Sequence, residues 1–166
     1  IRNSEVIPKM KLKNIKLFNY RCFNEAEIDF DDYITLVVGK NGAGKTAVLD
    51  AVAVSVSTFL LGIDGGASRS ILKDDARYEF YNLNGTIDPQ HQFPVSIESI
   101  GDCLEQQNVK WIRCLNSENG KTTIKDASKL TGLAKKAQKQ IMMGDKSLVL
   151  PLISYYGTGR LYAQKK

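Results

Sequence analysis

Residues 39–46 read Gly39-Lys40-Asn41-Gly42-Ala43-Gly44-Lys45-Thr46, and this stretch decides the fold. It fits the pattern G-x-x-x-x-G-K-[ST], which is the phosphate-binding P-loop. At average residue usage, a chain of this length contains the pattern by chance about once in a few hundred sequences. A P-loop therefore explains the stretch better than a glycine-rich turn that carries a surface lysine.

The residues on either side supply the context that a P-loop requires. Residues 34–38, Ile-Thr-Leu-Val-Val, predict a short buried strand, and residues 47–61 predict an apolar helix. Glycines let the loop backbone wrap around phosphate oxygens, while the loop N–H groups and the helix N-terminus face the anion. We expect Lys45 to reach the β- and γ-phosphates and the Thr46 hydroxyl to hold Mg²⁺.

The composition is that of an ordinary soluble domain. The 166 residues are 43% hydrophobic and 25% charged, which suits one domain with a core. The longest apolar stretch is interrupted by polar residues and too short for a convincing membrane span, so we expect no membrane partner. With no signal peptide visible, we expect a cytoplasmic location, where three widely spaced cysteines stay free thiols: Cys22, Cys103 and Cys114.

The formal net charge of +5 permits a nucleic-acid partner but does not establish one. Lys135, Lys136 and Lys139 form the main basic group within the chain. A solvated helix face explains this group better than a binding surface does.

Periodic apolar residues predict the remaining elements. Strands are expected at residues 10–23, 25–30, 76–83, 93–100, 109–115 and 148–156, and a helix at 125–143. The strands at residues 76–83, 93–100 and 109–115 are predicted to form an antiparallel meander. His91 is predicted to lie in a turn. The predicted fold class is α/β: a P-loop NTPase lobe with a mixed sheet, an antiparallel β meander and flanking helices.

Residues 15–53 resemble the N-terminal lobe of SMC/RecF-type ATPases, a branch of the ABC-type ATPases. The segments that carry the likeness are residues 15–23 (IKLFNYRCF), 26–30 (AEIDF), the P-loop with Asn41 between its glycines, and 48–51 (VLDA). The resemblance implies that ATP and Mg²⁺ bind at the P-loop. The residues it assigns to this site are Gly39, Lys40, Asn41, Gly42, Ala43, Gly44, Lys45, Thr46 and Ala47.

The same resemblance places Arg21 where the family has an arginine that approaches the nucleotide phosphates. A guanidinium near the P-loop would neutralise triphosphate charge through two parallel hydrogen bonds. The alternative is a surface arginine between two strands. Asp50, one helical turn past Thr46, is expected to support the hydrogen bonds of the loop without binding metal directly.

A second resemblance lies at the end of the chain. Residues 155–161 (YYGTGRL) are similar to a segment of bacterial AAA-type predicted ATP-binding proteins, which include ATPase partners of nuclease-coupled anti-phage systems such as Septu. If this segment corresponds to the Q-loop, Tyr156-Gly157 replaces the usual Gln-Gly, and Arg160 is a candidate phosphate-facing or subunit-bridging residue. An exposed arginine after a glycine turn explains Arg160 equally well.

Two motifs of a complete ATPase of this type do not occur in the sequence. One is the Walker B run of four apolar residues before Asp-Glu, and the other is an L-S-G-G-type signature. We therefore expect residues 1–166 to be a single incomplete P-loop ATPase domain, the N-terminal lobe of a longer protein. By itself it should bind nucleotide weakly and hydrolyse it poorly or not at all.

In the longer protein, the resemblance implies that two subunits sandwich ATP as a homodimer. Dimerisation and hydrolysis would couple to DNA or to a nuclease partner, as in DNA repair or anti-phage defence. A GTPase and a small-molecule kinase are alternatives, although no Asn-Lys-x-Asp motif occurs and Arg69 and Arg77 are thin support for a kinase lid. A non-hydrolysing nucleotide-binding scaffold is a third reading that the sequence leaves open.

Overall fold

The computed structural model describes residues 10–157 apart from residue 84. Its strands and helices, in chain order, are β1 (Met10–Tyr20), β2 (Phe23–Asp29), α1 (Lys45–Ser57), β3 (Tyr78–Leu83), β4 (Thr86–His91), β5 (Val95–Cys103), β6 (Gln106–Leu115) and α2 (Ser128–Met142). Short 3-10 turns cover Thr58–Gly62, Lys73–Asp75 and Lys125–Ala127. The α/β class, with antiparallel strands and flanking helices, is confirmed.

A four-stranded antiparallel sheet with the order β2-β1-β5-β6 forms the base of the structure. Its register pairs Leu17 of β1 with Ala26 on one side and with Ile97 on the other. Every second residue of a strand points to the same face, so the apolar alternation that predicted these strands also builds one buried face. Ile15 and Leu17 of β1 are fully buried there.

Helix α1 packs on that face through Ala47, Ala51 and Val54. A buried hydrogen bond of 2.7 Å joins the hydroxyls of Ser55 on α1 and Ser99 on β5. Residues 45–62 are apolar and long enough to cross a membrane by length and composition, but 56% of this stretch is buried inside the protein. Such burial is what a core helix of a globular domain shows, because it packs on several sides.

Helix α2 covers the far end of the sheet, where Leu130 and Ala134 pack against Trp111 and Phe59. Arg113 on β6 lies almost completely inside this region and has 2% of its surface exposed. It donates hydrogen bonds to the Thr123 carbonyl (2.9 Å) and the Thr58 hydroxyl (3.0 Å), while burial lowers the pKa of its guanidinium. These bonds attach the turn after α1 to the sheet.

Two expected strands are not formed in the described part of the chain. Residues 34–38 pair with no strand there, and Ile34, Leu36 and Val38 are 81%, 80% and 77% exposed. Residues 148–156 also lack ladder partners. Both predictions were wrong here, because an apolar run forms a strand only where a neighbour supplies the hydrogen bonds between strands.

The expected meander separates into two hairpins. β3 and β4 form a two-stranded sheet of their own, whereas β5 and β6 belong to the main sheet. His91 ends strand β4, opposite Tyr78, so the prediction of a turn residue was wrong. The Asp-Pro-Gln sequence before His91 suggested a turn, but the β3 partner holds it extended.

Candidate nucleotide-binding site

The loop between residue 39 and α1 has the backbone shape that a phosphate cradle needs. Gly42 and Gly44 have φ values of 82° and 87°, in the left-handed region that only glycine adopts without strain. The Ala43 N–H donates to the Lys40 carbonyl at 3.2 Å and closes a turn inside the loop. The two glycine positions in the sequence pattern therefore have a direct conformational reason.

The N-terminus of α1 has no side-chain cap. Gly44 occupies the cap position, and the first turn contains no acidic residue. The first N–H groups of a helix have no partner inside the helix, and they carry partial positive charge. With no side chain to satisfy or neutralise them, these groups are available to an anion.

Lys45 folds back over the loop. Its Nζ donates hydrogen bonds of 2.7 Å to the carbonyls of Gly39 and of Lys40. The ammonium thus lies above the same turn toward which the helix N-terminus points, in a solvent-exposed position. The Lys45 ammonium is hydrogen-bonded to backbone carbonyls and not to a carboxylate. A phosphate oxygen can therefore replace these carbonyls without leaving a buried carboxylate unpaired.

An open cavity of about 360 Å³ lies beside the loop. Thr46 is exposed there, and no hydrogen bond of its hydroxyl is recorded among the described residues. The same part of the chain holds no cluster of three or more His, Cys, Asp or Glu side chains suited to a metal. A divalent cation at this place would rest on Thr46, phosphate oxygens and water, which suits Mg²⁺. The residues that line the cavity are Arg21, Cys22, Asn41, Gly42, Gly44, Lys45, Thr46 and Ala47.

Arg21 reaches this cavity from the β1–β2 turn, and two carboxylates hold it. Its Nη1 lies 2.6 Å from Asp50 Oδ2, and its Nε lies 2.8 Å from Asp75 Oδ1. Burial lowers the pKa of Arg21, but the hydrogen bond to Asp75 and the nearby acidic groups raise it by more, so the net shift is upward. Arg21 is thus a fixed cation at the cavity edge rather than a loose surface arginine.

Asp50 has a different role from the one that the sequence suggested. Its carboxylate is buried and contacts no P-loop N–H; it binds Arg21, Arg69 (3.3 Å) and the Tyr155 hydroxyl. Burial and this hydrogen bond raise the pKa of Tyr155, so the phenol stays protonated and donates to Asp50. The Arg69 guanidinium lies over the Tyr155 ring, 4.6 Å from its centroid.

The structure thus brings Arg21 and the predicted loop together at one cavity, whereas the sequence did not point to much of the surrounding cluster. Asp75 and Arg69 approach Arg21 and Asp50 only through folding, and no local pattern marks Asp75. Gly39, Lys40 and Ala43 belong to the loop but do not line the cavity. The Arg160 prediction lies outside the described residues.

The fold and the loop define a P-loop α/β domain. The chain belongs to the AAA domain family, whose model matches residues 14–166.

Its curated relatives are similar over part of the chain. The chain is 58% identical over 43 residues to the DNA replication and repair protein RecF of Flavobacterium johnsoniae, covering 26% of this chain and 12% of that protein. It is 38% identical over 47 residues to the DNA double-strand break repair Rad50 ATPase of Pyrococcus abyssi, covering 28% and 5%. These matches confirm the resemblance to the N-terminal lobe of SMC/RecF-type ATPases, and the chain spans a small part of each relative's length.

Two further similarities extend over more of the chain. The structural maintenance of chromosomes protein 6A of Arabidopsis thaliana is 33% identical over 72 residues, covering 43% of this chain and 6% of that protein. A solved chain from work on "ATP-driven dimerization and DNA stimulated activation of SMC ATPases" has a TM-score of 0.43 and 16% identity, covering 80% of this chain and 90% of that chain.

Proposed function

We propose that this chain binds Mg-ATP at its P-loop and serves as the nucleotide-binding lobe of an ATPase of the SMC/RecF type. The observation that carries the proposal is the uncapped N-terminus of α1, set above a turn with left-handed Gly42 and Gly44 and covered by the Lys45 ammonium. A polyphosphate is the anion that this combination of N–H groups and lysine fits. The Rad50 relative is itself named an ATPase, which supports ATP as the ligand.

The described residues can bind and orient the nucleotide. Lys45 would exchange its two loop carbonyls for phosphate oxygens, Arg21 would approach from the β1–β2 turn, and Thr46 would hold the cation. Bound Mg²⁺ would neutralise charge on the β- and γ-phosphates. None of the residues that line the described cavity carries a carboxylate that could activate water. We therefore assign hydrolysis to groups supplied by the complete protein, with ATP-dependent homodimerisation as the way to bring them in.

DNA is the partner that we propose for the complete protein. The RecF and Rad50 relatives are named for DNA repair, and helix α2 offers a basic face. This helix contains no acidic residue, and no ion pair of its lysines is recorded among the described residues. At about 100° per residue, the lysines lie opposite the buried side of the helix. These exposed residues are Lys129, Lys135, Lys136 and Lys139.

A nuclease partner and a role in anti-phage defence are a second form of the same proposal. The support for this form is the resemblance of residues 155–161 to ATPases of such systems. Residues 158–161 of this segment lie outside the residues that the structure describes. We propose a cytoplasmic location for either form. Pull-down with and without ATP, followed by a nuclease assay of the captured complex, separates this form from a DNA-directed one.

The direct experiment is isothermal titration of the purified protein with Mg-ATP and with Mg-GTP. We expect ATP to bind and GTP to bind more weakly, since no Asn-Lys-x-Asp motif is present to read guanine. Equal or tighter binding of GTP would support the GTPase alternative. Sedimentation with and without a non-hydrolysable ATP analogue then tests dimerisation. ATP binding without turnover in the complete protein would support the alternative of a non-hydrolysing scaffold.

A further inference from the structure

The charged cluster beside the P-loop contains more residues than phosphate binding by itself requires. Its members are Arg21, Asp50, Arg69, Asp75 and Tyr155, and we call them the arginine–acid cluster. Asp50 and Asp75 each have 9% of their side chains exposed, whereas Arg21 has 31% exposed. The acids are thus packed beneath the arginine, and the arginine faces the cavity.

Hydrogen bonds to the main chain hold Asp75 in place independently of its contact with the Arg21 side chain. Its backbone carbonyl accepts the Arg21 N–H at 2.7 Å, and its Oδ2 accepts the Leu72 N–H at 2.9 Å. The remaining oxygen, Oδ1, accepts from Arg21 Nε. Because main-chain bonds hold both partners, the direction of the Nε–H bond is fixed by the fold.

The Arg21 backbone is also in an unusual conformation. Its φ of 51° lies in the left-handed region, where a residue with a Cβ is strained. Such strain persists where surrounding contacts impose it, and it often occurs at binding sites. The backbone strain and the two carboxylates together turn the guanidinium toward the cavity that Lys45 and Thr46 also line.

The two acids would otherwise weaken binding at this site. A carboxylate near a polyphosphate repels it, and the repulsion grows in a partly buried setting. Their presence next to the P-loop is explained if they hold an arginine whose contact with phosphate outweighs the repulsion. We propose that Asp50 and Asp75 are positioning residues for nucleotide binding, which act by holding Arg21 at the cavity edge; this inference rests on the proposed function.

Arg69 and Tyr155 complete the arrangement. Among the described residues, the ion pairs of Arg21 use Nε and Nη1, which leaves Nη2 for a phosphate oxygen. Asp50 also contacts Arg69 at 3.3 Å and the Tyr155 hydroxyl. A buried carboxylate left without partners is costly, so these two contacts help to keep the ionised Asp50 in place beneath Arg21.

A double-mutant cycle on the intact protein tests this inference. Mg-ATP dissociation constants are measured for wild type, Arg21→Ala, Asp50→Asn and the double variant. We expect each single change to weaken binding about 5- to 20-fold, which is the range of one charge-assisted contact, and the double variant to bind no more weakly than Arg21→Ala. Asp64→Asn is the matched control, because that carboxylate is exposed and outside the cluster, and it should bind like wild type.

Two results would overturn the inference. Tighter ATP binding by Asp50→Asn would mean that the acid acts only as a repelling charge, and an undiminished effect of Asp50→Asn in the Arg21→Ala background would mean that it acts independently of Arg21. If Asp50→Asn does not fold, the same cycle is run with Asp75→Asn, for which the same lack of additivity is expected. Failure of wild type to bind Mg-ATP would instead remove the proposed function, so the two failures are distinguishable.

Discussion

Gly44 lies so close to Cys22 that a Cβ on the glycine would be 2.6 Å from the Cys22 Sγ and 2.6 Å from a ring carbon of Phe23. The β1–β2 turn and the start of α1 are thus in direct contact at Gly44 of the P-loop. This contact places Arg21 and Cys22 in the wall of the same cavity as Lys45. The left-handed backbone and the close approach both require glycine at this position.

We expect Gly44→Ala to lower the free energy of unfolding by about 2–4 kcal/mol, from strain at φ 87° and from overpacking against Cys22 and Phe23. Gly42→Ala is the matched control, because its φ is also left-handed but a Cβ there meets nothing within 4 Å. It should cost only about 1–2 kcal/mol. Urea unfolding of both variants makes the comparison, and equal losses would show that Cys22 and Phe23 move aside.

Cys22 offers a chemical test of nucleotide binding at the cavity. It is exposed, so iodoacetamide should alkylate it, and saturating Mg-ATP should slow this reaction several-fold. Cys103 is the internal control, because burial raises the pKa of its thiol to about 11. At pH 8 only about 0.1% of such a thiol is ionised, and its alkylation should begin only as pH rises toward that pKa or as the protein unfolds.

Peptide mass spectrometry measures both cysteines in one sample. Identical alkylation of Cys22 with and without Mg-ATP would mean that the nucleotide does not occupy this cavity. Rapid alkylation of Cys103 at pH 8 would mean that the sheet is not packed as described.

The exposed segment 34–38 leads to a stability prediction. Leu36→Ala should change the free energy of unfolding by less than about 0.5 kcal/mol, since Leu36 is 80% exposed. Leu17→Ala changes the same residue type at a fully buried position and should cost about 2–5 kcal/mol. A loss at Leu36 as large as that at Leu17 would show that this segment is covered in the folded protein.

The elements that depend on local pattern could be predicted from the sequence. The P-loop, α1 and strands β1 and β2 follow from glycine spacing, an apolar helix and alternation in the strands. The failed strand at residues 34–38 is an equally clear apolar run, but pairing depends on a neighbour that no local pattern reveals. The contact between Arg21 and Asp75 joins residues 54 positions apart, so it becomes visible only in the folded chain.

The measurement that tests the central claim most directly is equilibrium binding of Mg-ATP to Lys45→Ala. The Lys45 ammonium is exposed and bonds only loop carbonyls, so the variant should keep its thermal unfolding midpoint to within a few degrees. Its affinity for Mg-ATP should fall by about 100-fold or more, since two charge-assisted contacts, to the β- and γ-phosphates, are lost together, whereas Lys129→Ala on helix α2 should bind like wild type. Unchanged ATP affinity in a folded Lys45→Ala protein would contradict the account.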